Sequence, residues 1–368
     1  MPDTACTIGL SIVVPVLNEA DRLPDLFDEL GRQRGISFEL ILSDGGSSDQ
    51  TVATALRLAE GAPFPCRIVC GSPGRGRQMN TGARESSGRT LLFLHADSAF
   101  PESTALEEGL SALEGEISMS RNEGIAGHFA LRFLRRDPAP SLAYYYYEVK
   151  ASLDRPGCIH GDQGFMLRKT FFEQVGPFDE SLGFLEDNRL AELISRAGRW
   201  ILLPALLATS ARRFEGEGLY ARQMLNLLIV ALDAAGRNDF LQALPELYRQ
   251  QQRSGPLRQE FFYAKVRQLL RSLPSGERRH FWSSAGRLAV ENLWQVFLFM
   301  DARKGFRHGI PPEQLSPCLL LWYERSLKRL VENPVGYFAG FLPAWLWFRW
   351  MSGAGFGTRR NECGIIEK

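Results

Sequence analysis

The sequence predicts an α/β fold, a mostly parallel sheet flanked by helices, followed by an all-helical region. Two observations predict it. Through the amino-terminal half, short apolar runs closed by polar or glycine-bearing loops alternate with apolar residues at helical spacing, and from Gly218 onward that alternation does not return. Short continuous apolar runs read as strands covered on both faces. Strands alternating with helices argue for right-handed βαβ units, with every strand-to-helix loop on one edge of the sheet.

Ile8 to Val14 reads as the first strand, closed by Pro15-Val16-Leu17-Asn18-Glu19, and Leu23, Leu26, Phe27 and Leu30 follow at helical spacing. Phe38 to Leu42 is a second strand, ending in Asp44-Gly45-Gly46-Ser47-Ser48-Asp49 before a helix through Val52, Ala55, Leu56 and Ala59. Arg67 to Cys70 makes a third, the glycine-rich basic loop Gly71 to Arg77 follows, and Gln78 to Ala83 starts a short helix. Thr90 to Leu94 then runs into His95-Ala96-Asp97, polar residues at a strand's carboxyl end, where open α/β sheets hold their ligands. On this reading Glu19, Asp44, Arg75, Arg77 and Asp97 converge on one edge.

Past Pro101, Ser103 to Leu113 looks helical, Gly127 to Leu134 alternates like a half-exposed strand, and Tyr144 to Tyr147 is a run of four tyrosines. His160-Gly161-Asp162-Gln163-Gly164 precedes an apolar run, and Phe184-Leu185-Glu186-Asp187 opens a helix carrying Leu190, Leu193 and Ile194. After Trp200 to Leu203, Arg212 and Arg213 set two guanidinium groups beside a site loop. Residues 8–217 form one domain on this reading, and 218–368 a helical region of unassigned role. Its helical patterns are Met224 to Ala235, Phe261 to Leu273, Leu288 to Met300 and Leu319 to Val331. Val335 to Met351 is apolar and aromatic but interrupted by Pro343 and Arg349. Core packing, a homodimer contact and peripheral contact with a membrane stay open for it, with a membrane span the least favoured reading.

Composition limits the partners. The 368 residues, 45% hydrophobic and 23% charged, describe a globular chain, and a formal net charge of +1 supplies no global field for nucleic acid. Cys6, Cys66, Cys70, Cys158, Cys318 and Cys363 are scattered without zinc-site spacing, which suits a reducing interior. Asp3, Pro15 and Glu19 disfavour a secretory leader. The expected location is cytoplasmic, with the inner face of the membrane open as a peripheral position.

The order Val13-Val14-Pro15-Val16-Leu17-Asn18-Glu19, Asp44-Gly45-Gly46-Ser47-Ser48-Asp49, Gly74-Arg75-Gly76-Arg77-Gln78-Met79-Asn80, Leu94-His95-Ala96-Asp97 and Glu186-Asp187 resembles the family 2 glycosyltransferases of the GT-A fold. The segments Arg-Gly-x-Gln-Met-Asn, Gly-Asp-Gln and Ser-Ala-Arg-Arg are most similar to the branch called radical-SAM/selenodomain-associated transferase 2. The resemblance covers roughly residues 8 to 215. It implies transfer of a sugar from a UDP- or GDP-linked donor to an acceptor that is a glycan, a lipid or a small molecule. By the resemblance Pro15, Asn18, Glu19, Asp44, Arg75, Arg77, Gln78, Asn80, His95 and Ala96 bind the nucleotide, and Asp97 binds a divalent cation, Mn2+ or Mg2+.

His95 stands where the family carries a second aspartate, which favours manganese over magnesium. Asp187 matches the general base of an inverting transfer, with Glu186 beside it expected to make it more basic by disfavouring a second ionisation. Gly161, Asp162, Gln163, Arg212 and Arg213 fall on the acceptor or diphosphate side, and the tyrosine run is open to two readings, a stacking wall or packing against a core. Two other classes stay open. One is a nucleotide-sugar-binding or scaffold protein with little turnover, motivated by His95 and the unmatched helical region. The other is a nucleotidyltransferase, which needs a glycine-rich basic loop where this chain has Pro15 to Glu19.

Overall fold

The computed structural model describes residues 8–252 and 257–352. The chain divides into two compact units, Met1–Ala211 with Gly305–Leu315, and Arg212–Lys304 with Ser316–Lys368.

The first unit holds eight strands among the described residues, β1 (Leu10–Val16), β2 (Phe38–Asp44), β3 (Cys66–Cys70), β4 (Thr90–Phe93), β5 (Ser98–Ala99), β6 (Ile125–Leu134), β7 (Phe165–Arg168) and β8 (Arg199–Ser210). They form one sheet in the order β3-β2-β1-β4-β7-β6-β8-β5. The pairs β3-β2, β2-β1, β1-β4 and β6-β8 are parallel, whereas β7 pairs antiparallel with both β4 and β6, and β5 antiparallel with β8. The α/β class expected from the sequence is thus present, with a reversed strand at its centre. That reversal matters for the site. Phe165, first in β7, lies opposite Phe93, last in β4, so the loop leading into β7 starts beside the loop leaving β4.

Side chains alternate across β1. Leu10, Ile12 and Val14 join a core with α1 (Leu23–Gly31), α2 (Thr51–Gly61) and α4 (Ala105–Ser120). Val13 points the other way, into a second core with Leu91, Phe93, Phe165 and Leu167. There it meets α3 (Arg75–Glu85), α6 (Lys169–Val175) and α7 (Glu186–Ala197). Covering both faces is why these strands read as unbroken apolar runs. The tyrosine run lies in α5 (Leu142–Ala151). Tyr145 and Tyr146 are buried, and the Tyr145 hydroxyl donates to the Ile310 carbonyl at 2.8 Å. Tyr144 packs edge-on to Phe133 at 5.3 Å.

The second unit is helical among its described residues, with α8 (Arg212–Glu217), α9 (Leu219–Ala234), α10 (Asn238–Gln252), α11 (Gln259–Ser272) and α12 (Ser275–Glu291). After these come α13 (Trp294–Arg307), α14 (Cys318–Trp322), α15 (Lys328–Val331) and α16 (Pro334–Met351). The apolar stretch Leu288 to Met300, read as one helix, is broken at 292–293 into the end of α12 and the start of α13. The pattern Leu319 to Val331 is likewise divided, by a π-helical turn at Tyr323–Leu327. α16 lies against α12 where two glycines face each other. A Cβ on Gly340 would stand 2.5 Å from the Gly286 carbonyl, so only a hydrogen fits. No described helix is long and apolar enough to cross a membrane. Cys66, Cys70, Cys158 and Cys318 are free thiols, and Cys6 and Cys363 lie outside the described residues.

Candidate functional site

Two loops at the carboxyl ends of β1 and β2 are joined by side-chain caps. Asn18 sits in the left-handed region at φ 56°, a conformation asparagine tolerates better than most residues, and its Oδ1 accepts from the Ser48 and Asp49 amides at 2.8 and 3.3 Å. Its own amide donates to Ser47 Oγ at 2.9 Å, and the Glu19 amide to Thr51 Oγ1 at 2.9 Å. The buried Asp44 carboxylate accepts from the Gly46 and Ser47 amides at 2.8 and 3.0 Å and from the Ser47 hydroxyl. Pro15 lies within β1, opposite Ser43.

The basic segment departs from the expected loop. Gly74, at φ 139°, lets the chain enter α3 directly, so Arg75 and Arg77 occupy a first helical turn. Arg75 Nε donates to Glu186 Oε1, and Arg77 Nε to Glu180 Oε2 at 3.2 Å. Gln78 and Asn80, expected to reach a nucleotide, are buried with their amides engaged inside the protein. Gln78 Nε2 donates to the Val16 and Ser43 carbonyls at 2.8 and 2.7 Å, holding the ends of β1 and β2 together. Asn80 accepts from the Phe178 amide at 2.9 Å and donates to its carbonyl at 2.9 Å, fixing the chain ahead of α7. Both act as braces because α3 is buried on both of the sides they occupy, Gln78 against β1 and β2 and Asn80 against the Phe178 segment.

The acidic centre forms where the loop into β7 meets the start of α7. Leu185, at φ 67°, turns the chain into α7, and Asp187 Oδ2 accepts from the Gly161 amide at 2.9 Å while Oδ1 accepts from the Asn188 amide at 2.9 Å. Burial alone would raise the Asp187 pKa. The charges of Arg75 and His160, with those two amides, outweigh it and hold the carboxyl below its ordinary range. Burial together with the charge of Asp187 raises Glu186 instead, against the pull of Arg75. The sequence argument that Glu186 makes Asp187 the more basic member is thereby reversed, because Arg75 and the amides serve Asp187. Asp162 is raised by burial and by the charges of Asp187 and Asp97, so Asp97, Asp162 and Asp187 share one electrostatic field. The buried Oδ1 of Asp162 has no hydrogen-bond partner.

A chain of polar contacts supports this centre from below. Gln163 Oε1 accepts from the His160 amide at 2.6 Å, and its Nε2 donates to the Ala151 carbonyl at 2.6 Å and lies 3.3 Å from His128 Nδ1. The fully buried His128 places Nε2 2.7 Å from Asp154 Oδ1, and His160 Nδ1 lies 2.8 Å from Asn188 Oδ1. His128, Asp154 and Lys150 escaped sequence reasoning. Lys150, whose pKa burial lowers, interacts with Asp162 from the end of α5. No spacing motif marks these residues, since they converge through strand pairing.

His95 and Ser98 close a turn after β4, with the His95 amide donating to Ser98 Oγ at 3.3 Å and the Ser98 amide to the His95 carbonyl at 3.2 Å. Ala96 and Asp97 also line a cavity of about 560 Å³ together with Arg22, Asp25, Leu134 and Ser210; Pro15, Asn18 and Asp44 do not line it. Among the described residues no three His, Cys, Asp or Glu side chains are grouped to hold a metal. The bare Oδ1 of Asp162, in the field of Asp97, still suits a hard cation that completes its shell with ligand oxygens and water, as Mg2+ commonly does. Arg212 and Arg213 start α8, in the second unit.

Residues 11–176 match the model of Glycosyl transferase family 2. The chain carries a family 2 glycosyltransferase domain. It is 37% identical over 182 residues to a PGL/p-HBAD biosynthesis glycosyltransferase of Mycobacterium tuberculosis, covering 48% of this chain and 66% of that protein. It is 36% identical over 121 residues to the dolichyl-phosphate beta-glucosyltransferase of Mus musculus, covering 29% of this chain and 37% of that one. The chain therefore spans well under half of the mouse relative. Among solved structures it is similar to a mannosyltransferase from Pyrobaculum calidifontis in complex with GDP-Man and Mn2+. That match has 16% identity and a TM-score of 0.47, and covers 96% of this chain and 90% of the other. S. aureus TarS 1–349 with UDP matches at 14% identity and a TM-score of 0.45, covering 86% of this chain and 92% of that one.

Proposed function

We propose that the glycosyltransferase domain moves a sugar from a UDP- or GDP-linked donor to an acceptor hydroxyl with inversion, and that Asp187 is the general base. The observation that carries this reading is the state of Asp187. Its carboxylate accepts from the Gly161 and Asn188 amides, and the charges of Arg75 and His160 favour its ionised form, in the field that Asp97 and Asp162 share.

In such a transfer the acceptor O–H gives its proton to the Asp187 carboxylate as its oxygen bonds to the anomeric carbon. The bond from that carbon to the diphosphate oxygen breaks with its electron pair. A group with a lowered pKa is a modest base but is fully ionised at neutral pH, and it needs only to accept a proton as the bond forms. The leaving diphosphate needs positive charge rather than a proton. Arg77, exposed on the first turn of α3 and shared with the half-exposed Glu180, is placed to supply it, and Arg75 adds charge from beside Glu186. A divalent cation held by Asp97, with Asp162 nearby, supplies further neutralisation of the diphosphate when bound.

Asp44, with both oxygens engaged by its own loop, shapes the nucleotide side of the site through that loop. Similarity to the radical-SAM/selenodomain-associated branch rests on the Arg75 to Asn80 and Gly161 to Gln163 segments and extends this reading to the acceptor side. The test is incubation of pure protein with a panel of UDP- and GDP-sugars and Mn2+ or Mg2+. Metal-dependent release of nucleoside diphosphate supports transfer, and binding of a donor without any release favours the binding-protein reading.

A further inference from the structure

α16 is apolar on both sides. Its inner face packs on α12 and on the α11 aromatic Tyr263, which meets Trp347 edge-on at 5.5 Å. Its outer face bears Val335, Phe338, Leu342, Leu346 and Trp350, spaced by three or four residues and therefore aligned along one stripe. Their exposures are 77, 82, 55, 51 and 55%. Eighteen residues make this helix about 27 Å long. It contains no acidic residue, and its one charge, Arg349, lies over the Trp345 ring at 5.2 Å. Contiguous exposed apolar surface of this size marks an interaction site.

The charge distribution selects the partner. The overall +1 conceals two opposite halves. The unit carrying α16 has 22 Lys and Arg against 13 Asp and Glu, net +9, and the other has 21 against 29, net −8. Exposed Arg329, with Lys328 paired to Glu332 at 4.0 Å, sits on α15, which packs beside α16, and exposed Arg325 sits on the turn that leads into α15. A second copy docking through the same stripe would bring two units of +9 together, whereas an anionic surface is complementary to it.

We propose that the outer stripe of α16 docks the protein on an anionic lipid bilayer, lying in the interface with its tryptophan and arginine end at headgroup level. Phospholipid surfaces supply both the apolar layer and the negative charge, and basic residues near them add electrostatic attraction that salt screens. The helix would lie on the surface, since it is not long and apolar enough to span. The proposal is independent of the catalytic reading.

The test is sedimentation of the full chain with vesicles of phosphatidylcholine containing about one third phosphatidylglycerol, against pure phosphatidylcholine, at low and high salt. The proposal expects binding to the mixed vesicles that weakens at high salt and falls at least about tenfold in Phe338→Glu/Leu342→Glu. Because both residues are exposed, the variant keeps the circular dichroism and melting transition of the wild type. Arg325→Gln/Arg329→Gln gives a second reading, with a smaller loss confined to low salt. Absence of sedimentation with either vesicle overturns the proposal. So does a wild-type dimer that Phe338→Glu/Leu342→Glu converts to a monomer while vesicle binding is unchanged.

Discussion

Arg75 Nε donates to Glu186 Oε1 across 111 residues of chain, joining the first turn of α3 to the first turn of α7. The contact places a permanent cation beside two consecutive carboxylates. Glu186 takes the hydrogen bond, and Asp187 takes part of the charge without spending an oxygen on it, which leaves its oxygens to the Gly161 and Asn188 amides.

Removing that cation should therefore be felt at Asp187 as well as in stability. Arg75→Met leaves Glu186 buried without its partner and should destabilise the protein by about 1–3 kcal/mol, discounted from a fully buried pair because Arg75 is 38% exposed. With the Arg75 charge gone, the Asp187 pKa rises. The acid limb of the kcat profile then moves to higher pH, which a rate series carried down to about pH 3 measures.

Gln163 is expected to act on the rate through position. Its side chain holds the His160 amide and the Ala151 carbonyl and abuts His128, and the adjoining Gly161 amide holds Asp187. Gln163→Leu should lower kcat about 10- to 100-fold with the donor KM little changed, as for other residues that orient a working group. A matching rise in KM with kcat retained would assign Gln163 to binding instead.

The strand edge offers a test of pH linkage away from the site. The buried Glu39 accepts from Ser11 Oγ at 2.7 Å, the Ser87 amide at 2.5 Å and Arg67 at 2.9 Å, and these bonds outweigh burial and lower its pKa. A lowered folded-state pKa stabilises the protein above the unfolded value and is lost as pH falls through the folded one. Wild-type stability should thus decline as pH drops below 4.5. Glu39→Gln should cost about 1–3 kcal/mol at neutral pH and flatten that acid decline, read by urea unfolding at several pH values.

Asp97 is expected to couple cation and nucleotide. Asp97→Ala should leave weak nucleotide binding but abolish its enhancement by Mn2+ in a calorimetric titration. Unchanged enhancement would remove Asp97 from the cation's shell.

Much of the sheet was legible because its strands are covered on both faces and so appear as apolar runs ending in polar loops. Leu10, Ile12 and Val14 announce β1 without any neighbour. The reversed β7 was not legible, because its four residues carry no mark of direction, and it is this reversal that brings Gly161 and Asp162 beside the loop after β4. For the same reason His128 and Lys150 escaped notice, as their approach depends on pairings made over long separations. The bracing role of Gln78 and Asn80 is not legible from a motif, which reports residue types and spacing but not which side chains a helix buries. Arg75 reads as a loop residue because glycines flank it, although Gly74 alone suffices to start the helix.

The most direct measurement is nucleoside diphosphate release by the wild type and by Asp187→Asn under saturating donor and Mn2+, alongside nucleotide affinity for both. The account predicts release by the wild type, a fall of about two to four orders of magnitude in the variant, and affinity nearly intact. Release within a few-fold of wild type in Asp187→Asn would contradict it.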